Sequence, residues 1–281
     1  MTTALNTRPI PRTGEAIPVI GLGTWQTFDV GDAPEERAPL GEVLDAFFSG
    51  GGRVIDSSPM YGRAEGVVGD LLAARAGGTA AAPRPFLATK VWTRGKAAGE
   101  TQMRRSMQLM RTRCMDLLQV HNLVDWRTHL ETLRAWKKEG LVRYIGVTHY
   151  QLGALGDLER IVTKESIDFV QLPYSIVTRD AEARLLPAAA ASGAAVLVMR
   201  PFEEGALFAR VRGKQLPPWA ADFDCASWAQ FFLKFILGHP AVTCPIPATA
   251  SPKHLADNLG AGRGRLPDEA TRKRMIDYVS G

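Results

Sequence analysis

Residues 86–121 begin with Phe86-Leu87-Ala88-Thr89-Lys90, continue through Met103, Met107 and Met110, and end with Asp116-Leu117-Leu118-Gln119-Val120-His121. The first and last of these are short apolar runs with the length and composition of buried strands. The methionines between them recur at helical spacing. Strand, helix and strand in that order make a parallel crossover unit. Each run also closes on a residue able to take part in proton chemistry, Lys90 and His121. A lysine ending an apolar run is costly to bury unless a carboxylate faces it. Asp56, at the end of the run Arg53–Asp56, is the nearest candidate partner.

The same alternation extends in both directions. Strand candidates are Val19–Leu22, Arg53–Asp56, Phe86–Lys90, Asp116–His121, Arg143–Thr148, Asp168–Leu172, Ala195–Met199 and Val242–Ile246. Helical patterns separate them; Leu130, Leu133 and Trp136, before a stop at Gly140, are one example. Strand then helix, eight times over, predicts an α/β fold of the closed (β/α)8 TIM barrel type. A doubly wound sheet would need fewer strands and a glycine-rich first turn. Residues Pro9–Pro18, with Arg12-Thr13-Gly14-Glu15 as the turn, read as an N-terminal hairpin placed to plug the barrel bottom. Pro267–Gly281 reads as a C-terminal helix with Met275, Ile276 and Val279 on one face. No linker interrupts the pattern, so residues 1–281 are expected to form a single barrel domain. Phe202–Asp224, carrying Gly205, Gly213 and Pro217-Pro218, reads as a long irregular loop: a cofactor clasp or lid, or else a surface excursion.

Composition narrows the functional classes. The 281 residues are 46% hydrophobic and 22% charged, ordinary for a globular protein with a sizeable core. The net charge of +5 is dispersed, as in Glu35-Glu36-Arg37 and Lys137-Lys138-Glu139, which is a solvated mixed surface rather than a nucleic-acid footprint. Cys114, Cys225 and Cys244 form neither a CxxC pair nor a disulfide framework, in keeping with a reducing compartment. The first residues lack a signal-peptide pattern, and no apolar run reaches the length of a membrane helix. A cytoplasmic protein without membrane or nucleic-acid partners is expected.

In an α/β barrel the carboxyl ends of the strands build the site. The polar residues there are Asp56-Ser57-Ser58 with Tyr61, Lys90, His121 with Asn122, Thr148-His149, Tyr174-Ser175 and Met199-Arg200. Four of them form a coherent set. A tyrosine is a poor proton donor at neutral pH. An adjacent ammonium from Lys90 is expected to lower the pKa of Tyr61, with Asp56 holding the lysine charged. His121 would orient a carbonyl oxygen or share the proton. Structural readings stand beside these: an ion pair between Asp56 and Lys90, a packing role for Tyr61, and a satisfied core imidazole for His121.

Six segments in order resemble the motifs of the aldo-keto reductase family: Gly21-Leu22-Gly23-Thr24-Trp25, Asp56 through Glu65, Ala88-Thr89-Lys90-Val91-Trp92, Asp116 through His121, Arg143-Tyr144-Ile145-Gly146-Val147, and Ile246-Pro247-Ala248-Thr249 followed by Asn258. The resemblance spans nearly the whole chain. It implies an NADP(H)-dependent enzyme reducing small aldehydes or ketones to alcohols, with NAD(H) as the alternative cofactor and Asp56, Tyr61, Lys90 and His121 as the catalytic tetrad.

It also implies cofactor contacts from Gly23, Thr24, Trp25, Thr148, His149, Gln171, Met199, Arg200, Pro201, Thr249, His254 and Asn258. Substrate contacts would come from Trp25, Trp92 and Asn122, and no metal is implied. Several positions depart from the family pattern. Thr148-His149 replaces the usual Ser-Asn, and Met199-Arg200-Pro201 replaces an aromatic followed by Ser-Pro. Ala248 and His254 stand where many NADPH-using members carry lysine and arginine. Weaker discrimination against NAD(H) is therefore expected, unless Lys253, Arg263 or Arg265 supplies the missing charge. The short segment Asn122–Trp126 predicts an open, permissive mouth. Two rival readings are a metal-dependent hydrolase using Asp56, His121 and His149, and a barrel that holds cofactor as a sensor without turnover. The first lacks a His-x-His pair in strand one, and the second sits poorly with an intact tetrad.

Overall fold

The computed structural model describes residues 4–76 and 84–281. Of the expected 1–281 domain, residues 1–3 and 77–83 lie outside the described residues. Strands β1 (Thr7–Pro9) and β2 (Ala16–Pro18) pair antiparallel as the predicted hairpin. The barrel strands follow: β3 (Leu22–Gly23), β4 (Val54–Asp56), β5 (Phe86–Val91), β6 (Met115–His121), β7 (Val142–Thr148), β8 (Phe169–Pro173), β9 (Ala195–Met199) and β10 (Cys244–Pro245). They lie in one sheet in chain order, every neighbouring pair parallel.

Helices connect them: α1 (Pro34–Ser49), α2 (Ala64–Ala76), α3 (Lys96–Leu109), α4 (Trp126–Lys138), α5 (Leu155–Lys164), α6 (Leu185–Ser192), α7 (Ala206–Arg210), α8 (Trp228–Leu237), α9 (Pro252–Ala261) and α10 (Glu269–Ser280). The last three start on side-chain caps, with Ser227, Ser251 and Asp268 accepting from the backbone N–H of Gln230, His254 and Thr271. Met103 and Met107 of α3 and Leu130, Leu133 and Trp136 of α4 are buried, as their spacing predicts.

The first and eighth barrel strands are shorter than expected. Pro245 and Pro247 have no N–H to give, so this seam is bonded from one side. Gly21 and Gly23 donate to the carbonyls of Pro245 and Pro247 at 3.0 and 3.1 Å, and Gly23 bridges Ala248. A Cβ on Gly23 would lie 2.7 Å from the Ile246 carbonyl oxygen, so the residue at that crossing must be glycine. Gly23, expected to contact cofactor, thus has a structural role in barrel closure.

Strand periodicity decides what enters the barrel. Phe86, Ala88 and Lys90 of β5 point one way along the strand; Leu117, Gln119 and His121 of β6, Tyr144, Gly146 and Thr148 of β7, and Phe169 and Gln171 of β8 follow the same alternation. The apolar members near the strand starts pack with Ile10 and Ile17 of the hairpin in one buried cluster, which closes the barrel bottom. Farther along, the same faces carry Asp56, Lys90, Gln119, His121, Thr148 and Gln171, all buried. A second, larger cluster fills the layer between strands and helices.

The segment 202–224 differs from its reading as an irregular loop. It is built of short helical turns, Glu203–Gly205, α7 and Pro218–Phe223, with Leu207, Val211, Ala220 and Phe223 buried. Its glycines and prolines mark the ends of turns too short to show a helical period. Trp219 packs against Phe231 of α8 at 5.8 Å between ring centroids, so this part is anchored on the core. Among the described residues no helix is long and apolar enough to cross a membrane.

Candidate functional site

The turn between β4 and α2 carries Tyr61, whose backbone N–H donates to the Ser58 carbonyl at 3.0 Å. β4 and β5 are adjacent, with Asp56 in register with Ala88. Lys90 therefore reaches sideways to Asp56, and its Nζ donates to Asp56 Oδ2 at 2.6 Å and to the Ser57 carbonyl at 2.7 Å. Both charged groups are buried. The carboxylate also accepts from Gln119 Nε2 at 3.3 Å and Gln171 Nε2 at 3.5 Å. The ammonium lies 5.1 Å from the centre of the Tyr61 ring, and the His121 ring meets that ring edge-on at 6.1 Å. The four residues singled out from sequence are thus brought together at the carboxyl end of the barrel.

Burial opposes the charge on Lys90, but the Asp56 carboxylate and the Tyr61 oxygen hold its pKa above the ordinary lysine value. The expectation for Tyr61 is corrected in direction. Burial raises its pKa above the usual tyrosine value, Asp56 adds to the rise, and Lys90 pulls it down by less than the burial costs. The sequence shows the ammonium but not how deeply the phenol is buried. His121 is held down to about 3, by burial first and then by the charges of Lys90 and His149, so it is neutral at physiological pH. Its Nδ1 lies 2.9 Å from Ser58 Oγ.

The remaining candidates divide into open and engaged groups. Thr148 ends β7 with its hydroxyl oxygen buried and without a partner, and Asn122 Oδ1 is in the same state. An unsatisfied buried polar atom at a barrel mouth fits a ligand group that completes its hydrogen bonding. Trp25 and Trp92 are exposed, and the Trp92 ring lies 6.3 Å from His121. Thr24 is engaged: its hydroxyl donates to the Asp56 carbonyl at 3.0 Å and shares a hydrogen bond with Ser57 Oγ, also at 3.0 Å. Gln171 is engaged as well, accepting from Gln119 Nε2 at 2.8 Å while giving its own N–H to Asp56. His149 stacks on Tyr150 at 5.6 Å, and burial lowers its pKa.

Met199 is half-buried at the end of β9, Pro201 is buried, and Arg200 between them pairs with Glu204 at 2.8 Å and lies over the Tyr150 ring at 5.1 Å. Thr249 and Asn258 are buried, while Ala248, Lys253 and His254 are exposed beside the start of α9. Of the cations considered as substitutes at that end, Arg265 is held by Asp224 at 2.9 Å and Arg263 donates to the Gly50 carbonyl at 2.7 Å. Among the described residues Asp56, His121 and His149 form no cluster suited to a metal ion.

Three neighbours of the site escaped the sequence reading. Gln119 was legible by alternation, two residues before His121 on the same face of β6. Met60 is exposed beside Tyr61, and no pattern marks it. Glu65 is buried on α2, where it accepts from Thr89 Oγ1 and, at 3.1 Å, from Ser106 Oγ. It ties the turn that carries Tyr61 to the strand that carries Lys90.

Backbone strain gathers at the same end. Of ten non-glycine residues with positive φ among those described, seven follow barrel strands at the mouth: Gln26, Asn122, Leu123, Asp125, Arg200, Glu203 and Glu204. Such conformations persist where surrounding contacts over-determine them, which is common at sites.

Comparison with known proteins places this geometry in a family. The chain is 29% identical over 171 residues to an uncharacterized oxidoreductase of Schizosaccharomyces pombe, a match covering 60% of this chain and 54% of that protein. It therefore aligns with about half the length of that relative. An aldo-keto reductase of Strobilurus tenacellus is 25% identical over 88% of this chain and 82% of its own. A crystal structure of an aldo/keto reductase from Klebsiella pneumoniae, in complex with NADP and acetate, superposes with a TM-score of 0.76 at 26% identity, covering 98% of this chain and 96% of that one. The family model described as "Aldo/keto reductase family" matches residues 19–274. With its eight-stranded parallel barrel and hairpin plug, the chain belongs to the aldo/keto reductase family of oxidoreductases.

Proposed function

We propose that this protein, acting as a single barrel domain, reduces small aldehydes or ketones to alcohols with NADP(H), taking NAD(H) less well. The observation that carries the reading is the buried Lys90–Asp56 pair beside Tyr61 and His121 at the barrel mouth. The NADP bound by the Klebsiella pneumoniae relative supports the cofactor. So does the unpartnered hydroxyl of Thr148, which suits the nicotinamide carboxamide. Thr249 and Asn258 would hold the adenine end, with Arg200 turning from Glu204 toward the pyrophosphate.

When bound, the cofactor supplies the hydride. Tyr61 is the general acid. Tyr61 carries its proton at neutral pH; burial makes that proton harder to give up, and the pull of Lys90 in the opposite direction offsets part of that cost. Lys90 sits charged next to the phenol, where it favours the tyrosinate left after transfer, and Asp56 fixes Lys90. Neutral His121 offers a hydrogen bond to the same oxygen. Trp25, Met60 and Trp92 are exposed apolar side chains on the segments that follow β3, β4 and β5, where they would shield the reacting carbon from water.

A panel of small aldehydes and ketones, assayed with NADPH and with NADH by loss of the reduced cofactor and appearance of alcohol, tests the reading. Turnover with NADPH is expected. Tight cofactor binding without turnover across the panel would overturn it and favour a sensor.

A further inference from the structure

We infer that Ser58 is a positioning residue that fixes the tautomer of neutral His121, holding the ring proton on Nε2 so that this nitrogen donates into the barrel mouth. Ser58 is fully buried. Its oxygen lies 2.9 Å from His121 Nδ1 and accepts the Met60 backbone N–H at 3.3 Å. A hydroxyl has one proton to donate, and a buried one that donates nowhere is costly. Among the described residues the only acceptor recorded for the Ser58 hydroxyl is His121 Nδ1. The serine therefore donates, Nδ1 accepts, and a neutral imidazole that accepts at Nδ1 carries its hydrogen on Nε2.

The other edge of the ring agrees. Nε2 has no protein partner among the described residues and is not a sealed, unsatisfied atom, so it opens on the mouth. The rings of Tyr61 and Trp92 stand on either side at 6.1 and 6.3 Å. The charged Lys90 and the imidazole of His149 are its titratable neighbours, and both disfavour a second proton on His121. His121 then has one function toward a carbonyl oxygen: it donates a hydrogen bond and keeps its proton, leaving proton transfer to Tyr61. Without Ser58 either nitrogen could carry the hydrogen, and a fraction of molecules would present a lone pair to the carbonyl oxygen.

The catalytic consequence rests on the carbonyl-reduction reading; the tautomer does not. Two-bond nitrogen–proton correlation spectra of the nitrogen-labelled chain at neutral pH report the tautomer directly, with His121 identified by its loss in His121→Asn. The wild type is expected to show His121 protonated at Nε2. Ser58→Ala should show both tautomers and a kcat for carbonyl reduction lower by about two- to tenfold, the range of one hydrogen bond, with KM nearly unchanged. Ser58→Thr, which keeps the hydroxyl, should restore tautomer and kcat together. Wild-type His121 protonated at Nδ1 would overturn the proposal even if Ser58→Ala failed to fold, and so would a folded Ser58→Ala that stays purely Nε2-protonated. A wild type with the Nε2 tautomer but no turnover on any carbonyl would support the tautomer while overturning the function.

Discussion

The two ends of this barrel treat buried carboxylates in opposite ways. At the amino end Asp116, at the start of β6, accepts from Arg84 at 2.9 Å, from Arg143 at 2.6 Å and from the Leu87 N–H at 2.9 Å. Asp168 nearby takes Lys137 at 2.6 Å and the Ile145 N–H at 2.9 Å. The arginines and lysine involved reach solvent. At the carboxyl end Asp56 faces a lysine with no solvent access and two glutamines, beside buried polar atoms that have no partner. The first arrangement is complete and joins neighbouring strands. The second is incomplete and strained, which is what a site needs if a ligand is to supply the missing contacts. The same residue type thus joins strands through solvent-reaching cations at one end and pairs with a fully buried lysine at the other.

The largest test of this contrast is Tyr61→Phe. Removing the phenol proton should lower carbonyl reduction by about 10²–10⁴-fold, with cofactor affinity and melting temperature nearly unchanged. Wild-type turnover in that variant would place the proton donor elsewhere and break the comparison. Asp116→Asn should do the reverse, reducing stability by about 1–3 kcal/mol through weakened charged hydrogen bonds, read as a lower urea midpoint. Its kcat per folded molecule should stay at the wild-type value; a large loss of kcat would mean that the two ends are coupled.

Acid sharpens the contrast further. His121 is held at about 3 against an ordinary 6.5, by burial and by its charged neighbours. Below about pH 6.5 the unfolded imidazole binds a proton that the folded one refuses until about pH 3. Through that window this group makes stability fall as pH falls, by about 1.4 kcal/mol per pH unit. His121→Asn should remove that component, so its stability should drop less than that of the wild type between pH 7 and pH 5. Equal drops would show that His121 does not set the acid response. The smallest effect is expected at the rim. Ala248→Lys should tighten NADPH by up to about tenfold, one exposed charge-assisted contact, and leave NADH unchanged. An equal gain for both cofactors would mean that this position does not face the 2′-phosphate.

Barrel strands two to seven were legible because their apolar runs are uninterrupted and buried on both faces. Each was located within one or two residues. The seam between the first and eighth strands was not, since Pro245 and Pro247 preserve an apolar pattern while removing ladder donors. The helical turns at 203–223 were missed for a related reason: segments of five or six residues carry no measurable period, and what orders them is contact with α8.

For the site, the sequence by itself determined which residues stand at strand ends and which face of each strand they occupy. That was enough to bring Asp56, Tyr61, Lys90 and His121 together, and the period of two would have added Gln119. Only the tertiary structure decided what those groups do to one another. The depth of burial reversed the expected direction for Tyr61. The glutamine bridge shows Gln171 engaged with Asp56, and an ion pair holds Arg200 to Glu204. Ser58 meets His121 across 63 positions of sequence. Alternation along a strand is local geometry and can be read along a chain, whereas desolvation and hydrogen-bond satisfaction are sums over neighbours that only the closed barrel assembles.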